Sequence, residues 1–174
     1  MGVLKILGSL LIVFSSSIIG YYLGNKYSAR LENLLHIEQC IKILETEIVY
    51  GAVPIPDALN NVYLKGNKKV SYIFQQIRNN LLYNKDVDLL RSFEMVKRQL
   101  IEELNLKEED IELFLSLGRL LGTSDRTDQE KNFKLILNQI EILINEAKLE
   151  KDKNEKMYKN LGILAGIAIV IILL

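Results

Sequence analysis

The sequence predicts an all-α protein: a six-helix antiparallel bundle between an N-terminal and a C-terminal transmembrane helix. Three observations predict it. Residues 6–24 and 161–174 carry no charged side chain. The polar middle repeats its apolar residues at spacings of three and four, the period of helices buried on one face. Leu, Ile, Glu, Lys and Asn dominate the composition, with only two prolines, Pro54 and Pro56, and no tryptophan.

Residues 6–24 reach about 28 Å as a helix, close to the thickness of a bilayer's hydrocarbon core. Tyr21, Tyr22 and Tyr27 stand where an interfacial aromatic belt belongs. A cleaved secretory signal is the competing reading, since Lys5 precedes the run and Ser15, Ser16 and Ser17 interrupt it. Apolarity resumes after the serines, which is wrong for a cleavage region. The expectation is therefore an uncleaved membrane helix over 1–25.

The middle, 26–156, reads as one domain. Its first helix covers about 26–50 on a stripe of Leu34, Ile37, Ile41, Leu44 and Ile48, and it can continue the membrane helix without a break. Gly51 suits a left-handed stop, with Pro54 just beyond. Pro56 suits the first turn of a short second helix with Ala58, Leu59 and Val62 inward. Gly66 and Asn67 end it. A third helix covers 68–83, with Val70, Ile73, Phe74, Ile77 and Leu81 on one face. After a turn at 84–86, a fourth runs unbroken to Leu104 through Val87, Leu90, Phe93, Val96 or Met95, and Leu100.

Asn105 with Glu108 reads as the cap pair of a fifth helix, with Ile111, Leu113, Phe114, Leu117, Leu120 and Leu121 inward and Gly122 just past its end. A polar connection follows, with Thr127, Ser124 or Asp125 as the next cap. The sixth helix shows Phe133, Leu137, Ile140, Ile144 and Ala147. Its stripe dies at 150–156, polar on every face but free of breakers. One long helix leaving the bundle and entering the membrane at 157–174 is the expectation. That final segment reaches about 27 Å if Lys156 and Lys159 snorkel. Both anchors start from one membrane face, so the bundle needs an even number of passes, and six helices satisfy this.

Orientation follows from the basic residues. Lys26, Arg30, Lys148, Lys151, Lys153, Lys156 and Lys159 lie on the bundle side of the two anchors, against Lys5 on the far side. The positive-inside rule places the bundle in the cytoplasm. Lys plus Arg equals Asp plus Glu at 22 each, so net charge offers no attraction to nucleic acid.

Motifs for chemistry are sparse. There is no phosphate-binding Gly-x-x-x-x-Gly-Lys-Ser/Thr and no Gly-x-Ser-x-Gly. One histidine and one cysteine exclude an intramolecular disulfide and any site with two histidine ligands. Glu32, His36 and Cys40 are each four apart and form one exposed line on the first bundle helix. Such a set can hold zinc, but it reads better as the polar edge opposite the apolar stripe. Glu108, Glu109, Asp110 and Glu112 open a helix, where carboxylates favour the dipole without any cation. The expectation is no enzyme, no metal and no cofactor. Asp125 and Arg126 are candidate partner contacts, or a local ion pair or cap.

The anchors carry a stronger pattern. Ser16, Gly20 and Gly24 recur every four residues in the first, and Gly162 and Gly166 do so in the second. Small residues at this spacing let helices approach closely in lipid, either within one chain or between copies.

Three stretches resemble a known family. They are Glu47-Ile48-Val49-Tyr50-Gly51-Ala52-Val53-Pro54-Ile55-Pro56-Asp57-Ala58, then Leu121-Gly122-Thr123-Ser124-Asp125-Arg126 with Gln129 and Lys131, and Glu155-Lys156-Met157-Tyr158-Lys159-Asn160-Leu161-Gly162. Together with the two-ended membrane pattern they resemble the stage III sporulation protein AB family of endospore-forming bacteria. That resemblance implies a component of the mother cell–forespore channel complex. Its soluble part would be similar to the six-helix cytoplasmic domain of the type II secretion platform protein. The implied partners are the sporulation secretion ATPase and channel-ring subunits. The implied place is the outer forespore membrane, with the bundle in the mother-cell cytoplasm. A full platform protein has two such bundles, so self-association would supply a missing half. A membrane-anchored signalling adaptor for a cytosolic partner is the alternative from another class.

Overall fold

The computed structural model describes the backbone of residues 2–84, 86–123 and 126–173, and the side chains of these except 2–5, 122–123 and 126–127. In chain order the helices are α1 (Gly2–Glu45), a π-helical turn (Thr46–Tyr50), α2 (Ile55–Lys65), α3 (Lys68–Tyr83), α4 (Leu89–Glu94), α5 (Lys97–Glu102), α6 (Glu108–Thr123) and α7 (Arg126–Leu173). The architecture is all-α. With α4 and α5 together filling the place of one helix, six helices make up the bundle. The chain forms two compact units: Glu32–Asn145, and a second that joins the residues up to Leu31 to those from Glu146.

In the first unit the helices form because their apolar residues recur on one face, and the core is where those faces meet. Leu34, Ile37, Ile41 and Leu44 of α1 are buried, as are Ala58, Leu59 and Val62 of α2 and Val70, Ile73, Phe74 and Ile77 of α3. α2 packs on α3, and α4 on α6. Phe114 of α6 anchors the centre. Its ring lies 5.6 Å from Phe74, edge-on at 75°, and 5.4 Å from Phe93, separations at which aromatic pairs attract. Gly118 lies one turn on, with Phe93 seated against it.

Five local expectations change. First, α1 ends in a π-helical turn closed by Gly51 N–H on Thr46 O (2.9 Å), with Val53 N–H on Glu47 O (3.0 Å). The extra residue moves the left-handed position on by one: Gly51 stays right-handed at φ −79°, and Ala52 takes φ 51°. Second, the fourth helix breaks at Met95–Val96. Val96 N–H turns to Phe93 O (3.2 Å), and Ser92 O faces Asn80 Nδ2 from α3 at 3.5 Å. Val96, not Met95, enters the core, and Leu89 does so ahead of Leu90. Third, Asn105 is no N-cap. It holds a left-handed turn at φ 52°, a conformation Asn tolerates, and the α6 start is closed by the Asp110 carboxylate accepting Lys107 N–H at 2.9 Å.

Fourth, α6 runs through Gly122 to Thr123, and Leu115 replaces Leu113 and Leu120 among its buried residues. Fifth, Ile136 of α7 is buried while Leu137 and Ile144 are half-buried. Thr127 lies inside α7; the alternative caps Ser124 and Asp125 lie outside the described residues. The helix limits at Lys68 and Tyr83 are those expected, with the Asn67 side chain accepting Lys69 N–H (2.9 Å) as the α3 cap.

Candidate functional site: a seam of small residues between two apolar helices

In the second unit α1 and α7 run antiparallel in backbone contact. A Cβ built on Gly20 would stand 2.6 Å from Tyr158 O and 2.7 Å from Gly162 Cα. One on Gly162 would stand 2.8 Å from both Gly20 Cα and Ser16 O. Gly166 faces Val13 Cα and Ser16 Cβ, and Gly24 faces Glu155 O. Only residues without side-chain bulk allow this approach. Ser16 adds a polar tie, its Oγ donating to Gly162 O at 2.5 Å. The structure thus brings Ser16, Gly20, Gly24, Gly162 and Gly166 together within one chain.

Above the seam the helices are joined by polar contacts. The Tyr27 and Tyr158 rings stack at 5.8 Å. Ser28 Oγ donates to Glu155 Oε2 at 2.6 Å, and Arg30 donates to Glu150 Oε2 at 2.8 Å while only 3% exposed. Lys159 completes the cluster, with Nζ 2.5 Å from Glu155 Oε1. Hydrogen bonds from Lys159 and then Ser28 hold the Glu155 carboxyl below the usual carboxylate range. Two polar pairs in this position fix the register that sets glycine against glycine.

The outer faces of the two helices are bare. Within the most apolar window of each, only 6% and 11% is buried. The core helix of a soluble protein is mostly covered; these are not, and both are long and apolar enough to cross a membrane.

The other candidate groups separate. Glu32, His36 and Cys40 do not form an exposed line, because Cys40 is fully buried. Glu32 binds Lys69 Nζ at 2.6 Å and lies 3.6 Å from His36 Nε2, which is also 3.1 Å from Asn67 Nδ2. The Lys69 hydrogen bond holds Glu32 below the usual carboxylate range, and burial pushes the Cys40 thiol up to about 12. A thiol so protonated is a poor ligand and a poor nucleophile. Among the described residues no three of His, Cys, Asp and Glu gather as a metal site. Asp125 lies outside the described residues, as does the side chain of Arg126, whose backbone begins α7.

Sequence reasoning missed the Glu47 cluster. Glu47 is buried at the π-helical turn, where its carboxylate accepts from Asn61 (2.7 Å) and Lys65 (2.5 Å). The Lys65 bond, then the Asn61 bond, lower its carboxyl. An acidic residue three positions after Leu44, on the stripe's own face, was the available signal. An open groove of about 370 Å³ between α6 and α7 was missed too. Leu113, Ser116, Gln139, Ile142 and Leu143 line it, with Glu109 and Glu112 at its rim. Glu112 lies 3.7 Å from Arg119 and Glu109 3.8 Å from Lys107, so the rim is internally balanced.

Fold and seam define a class: an α-helical bundle protein with two candidate membrane spans that face each other within one chain. The model of the family described as stage III sporulation protein AB matches residues 5–174, and the chain belongs to that family. It is 30% identical over 171 residues to stage III sporulation protein AB of Bacillus subtilis (strain 168), covering 98% of this chain and 99% of that one. It also matches a solved structure of a stage III sporulation protein AB with a TM-score of 0.64 at 25% identity. That match covers 72% of this chain and 98% of the other.

Proposed function

We propose that the chain is a non-catalytic membrane platform in the secretion-like channel between mother cell and forespore. The seam-paired helices seat it in the outer forespore membrane. The bundle faces the mother-cell cytoplasm and docks the sporulation ATPase, with channel-ring subunits assembling around it. The observation that carries this reading is the construction of α1 and α7. Each carries an apolar, seam-forming segment and a core-forming segment in one helix without a break (Gly2–Glu45 and Arg126–Leu173). A partner gripping the bundle would thereby pull on the two helices that hold the lipid. Seven basic residues against three acidic ones in 26–30 and 148–159 support the cytoplasmic orientation.

Cross-linking in sporulating cells, followed by co-purification, tests the assembly. The ATPase or ring subunits are expected in the eluate. A cytosolic partner without either would favour the signalling adaptor instead. Orientation needs a reporter other than Cys40, whose burial silences it on both sides of a membrane. Tyr83, 79% exposed, serves as Tyr83→Cys in a Cys40→Ser chain. Labelling by an impermeant thiol reagent is expected only in opened cells, and labelling of intact cells would overturn the orientation.

A further inference from the structure

The seam leaves a trough on one side of the apolar pair. Phe14, Ser17, Ile18 and Tyr21 of α1 and Lys159 and Ile163 of α7 enclose about 400 Å³, a volume within the range of small-ligand sites. Its polarity is graded along the helices. Phe14, Ile18 and Ile163 make the deep end apolar. At the other end stand Tyr21 and Lys159, with the ammonium 4.8 Å from the ring centroid. Lys159 gives one of its three donors to Glu155, leaving two. Lys156, one turn away on the same helix, is exposed.

We propose that this trough is a binding site for one anionic glycerophospholipid, with an acyl chain against Phe14, Ile18 and Ile163 and the phosphate at Lys159. Resting on the bilayer reading above, the inference adds a specific ligand to it. Charge selects the ligand. The surrounding collar has seven basic residues against three acidic ones, and basic clusters at this depth attract anionic headgroups. Shape selects it as well: a one-sided apolar trough that ends at a cation matches a chain that ends at a phosphate. Lys159 is held for this by two contacts of opposite kind, the Glu155 carboxylate and the Tyr21 ring face.

Native mass spectrometry of the full chain released from detergent micelles tests it, with phosphatidylglycerol and phosphatidylcholine offered together. One phosphatidylglycerol per chain is expected, retained about fivefold over phosphatidylcholine, the effect of one basic residue near a charged headgroup. Lys159→Gln is expected to remove that preference and Lys159→Arg to keep it. Ile18→Trp, which fills the deep end, is expected to reduce retention of both lipids. Equal retention by the unaltered chain, or a preference that survives Lys159→Gln, overturns the site. Carbonate extraction of membranes carrying the unaltered chain tests the bilayer reading separately. A chain that resists extraction but shows no lipid preference refutes this inference alone.

Discussion

Replacing Gly162 by alanine puts the seam under a calculable load. The new Cβ would lie 2.8 Å from Gly20 Cα and from Ser16 O, while carbon atoms rest about 3.5–4.0 Å apart. Both obstacles are backbone and cannot rotate aside, so the helices must part locally by about 1 Å. Overpacking of this kind costs about 1–3 kcal/mol. The Ser16–Gly162 hydrogen bond, 2.5 Å long, goes with it, at about 0.6–1.7 kcal/mol in a membrane. Alanine's better helix propensity returns at most about 1 kcal/mol. With the full 1 kcal/mol returned, the net destabilisation is about 0.6–3.7 kcal/mol, a shift toward separated helices of roughly 3- to 400-fold. The assay is cross-linking by a short bifunctional thiol reagent in reconstituted chains. These carry Cys40→Ser, Tyr27→Cys and Tyr158→Cys, positions whose native rings stack at 5.8 Å and which leave the Ser28–Glu155 and Arg30–Glu150 pairs intact. Product within one chain is expected to drop for Gly162→Ala and to hold for Gly8→Ala, since nothing lies within 4 Å of a Cβ there. Unchanged yield in Gly162→Ala, or product appearing only as dimers, would refute the intrachain seam.

Four other outcomes follow from the bundle. Gly118→Ala sets a Cβ 2.8–3.0 Å from three atoms of the buried Phe93 side chain. That overpacking of about 1–3 kcal/mol outweighs the gain of about 1 kcal/mol in helix propensity, and the full chain in detergent should melt earlier. Ala52→Gly relieves a left-handed residue at φ 51° and should raise stability by about 0.5–1 kcal/mol after the added freedom of the unfolded chain, read by denaturant titration. Cys40, with its thiol pushed up to about 12, should resist maleimide in the native chain at pH 7 and react in denaturant, counted by intact mass. Glu47, its carboxyl lowered by Lys65 and Asn61, contributes stability that is fully present above the unfolded pKa of about 4.3 and lost as pH falls through the lower folded value. Protection from hydrogen exchange at Thr46–Tyr50, referred to the intrinsic amide rate at each pH, should fall over that interval, and Glu47→Gln should abolish that loss.

Much of the fold was legible because helix periodicity is a local property. The stripe Leu34, Ile37, Ile41, Leu44 and Ile48 is buried throughout, and α3 begins and ends where its pattern does. What escaped was decided by groups distant in sequence. The α4–α5 break has no proline or glycine to announce it; Asn80 of α3 faces the carbonyl that an unbroken helix would have used. Cys40 lies four residues after His36 on the polar line but also three after Ile37 and four before Leu44 of the apolar stripe, so spacing alone allowed either face. The approach of Gly66, where an added Cβ would lie 3.0 Å from Cys40 Sγ, settled the matter.

The seam divides the two kinds of information most clearly. Spacing by fours marks Ser16, Gly20, Gly24, Gly162 and Gly166 as one face on each helix, because 3.6 residues complete a turn. The same spacing serves a partner from another copy equally well. Only tertiary structure sets Gly20 on Gly162 in one chain, since that depends on the antiparallel register that Ser28–Glu155 and Arg30–Glu150 secure between residues more than a hundred positions apart. Periodicity says which surface a helix hides; shape and paired charge decide what it is hidden against.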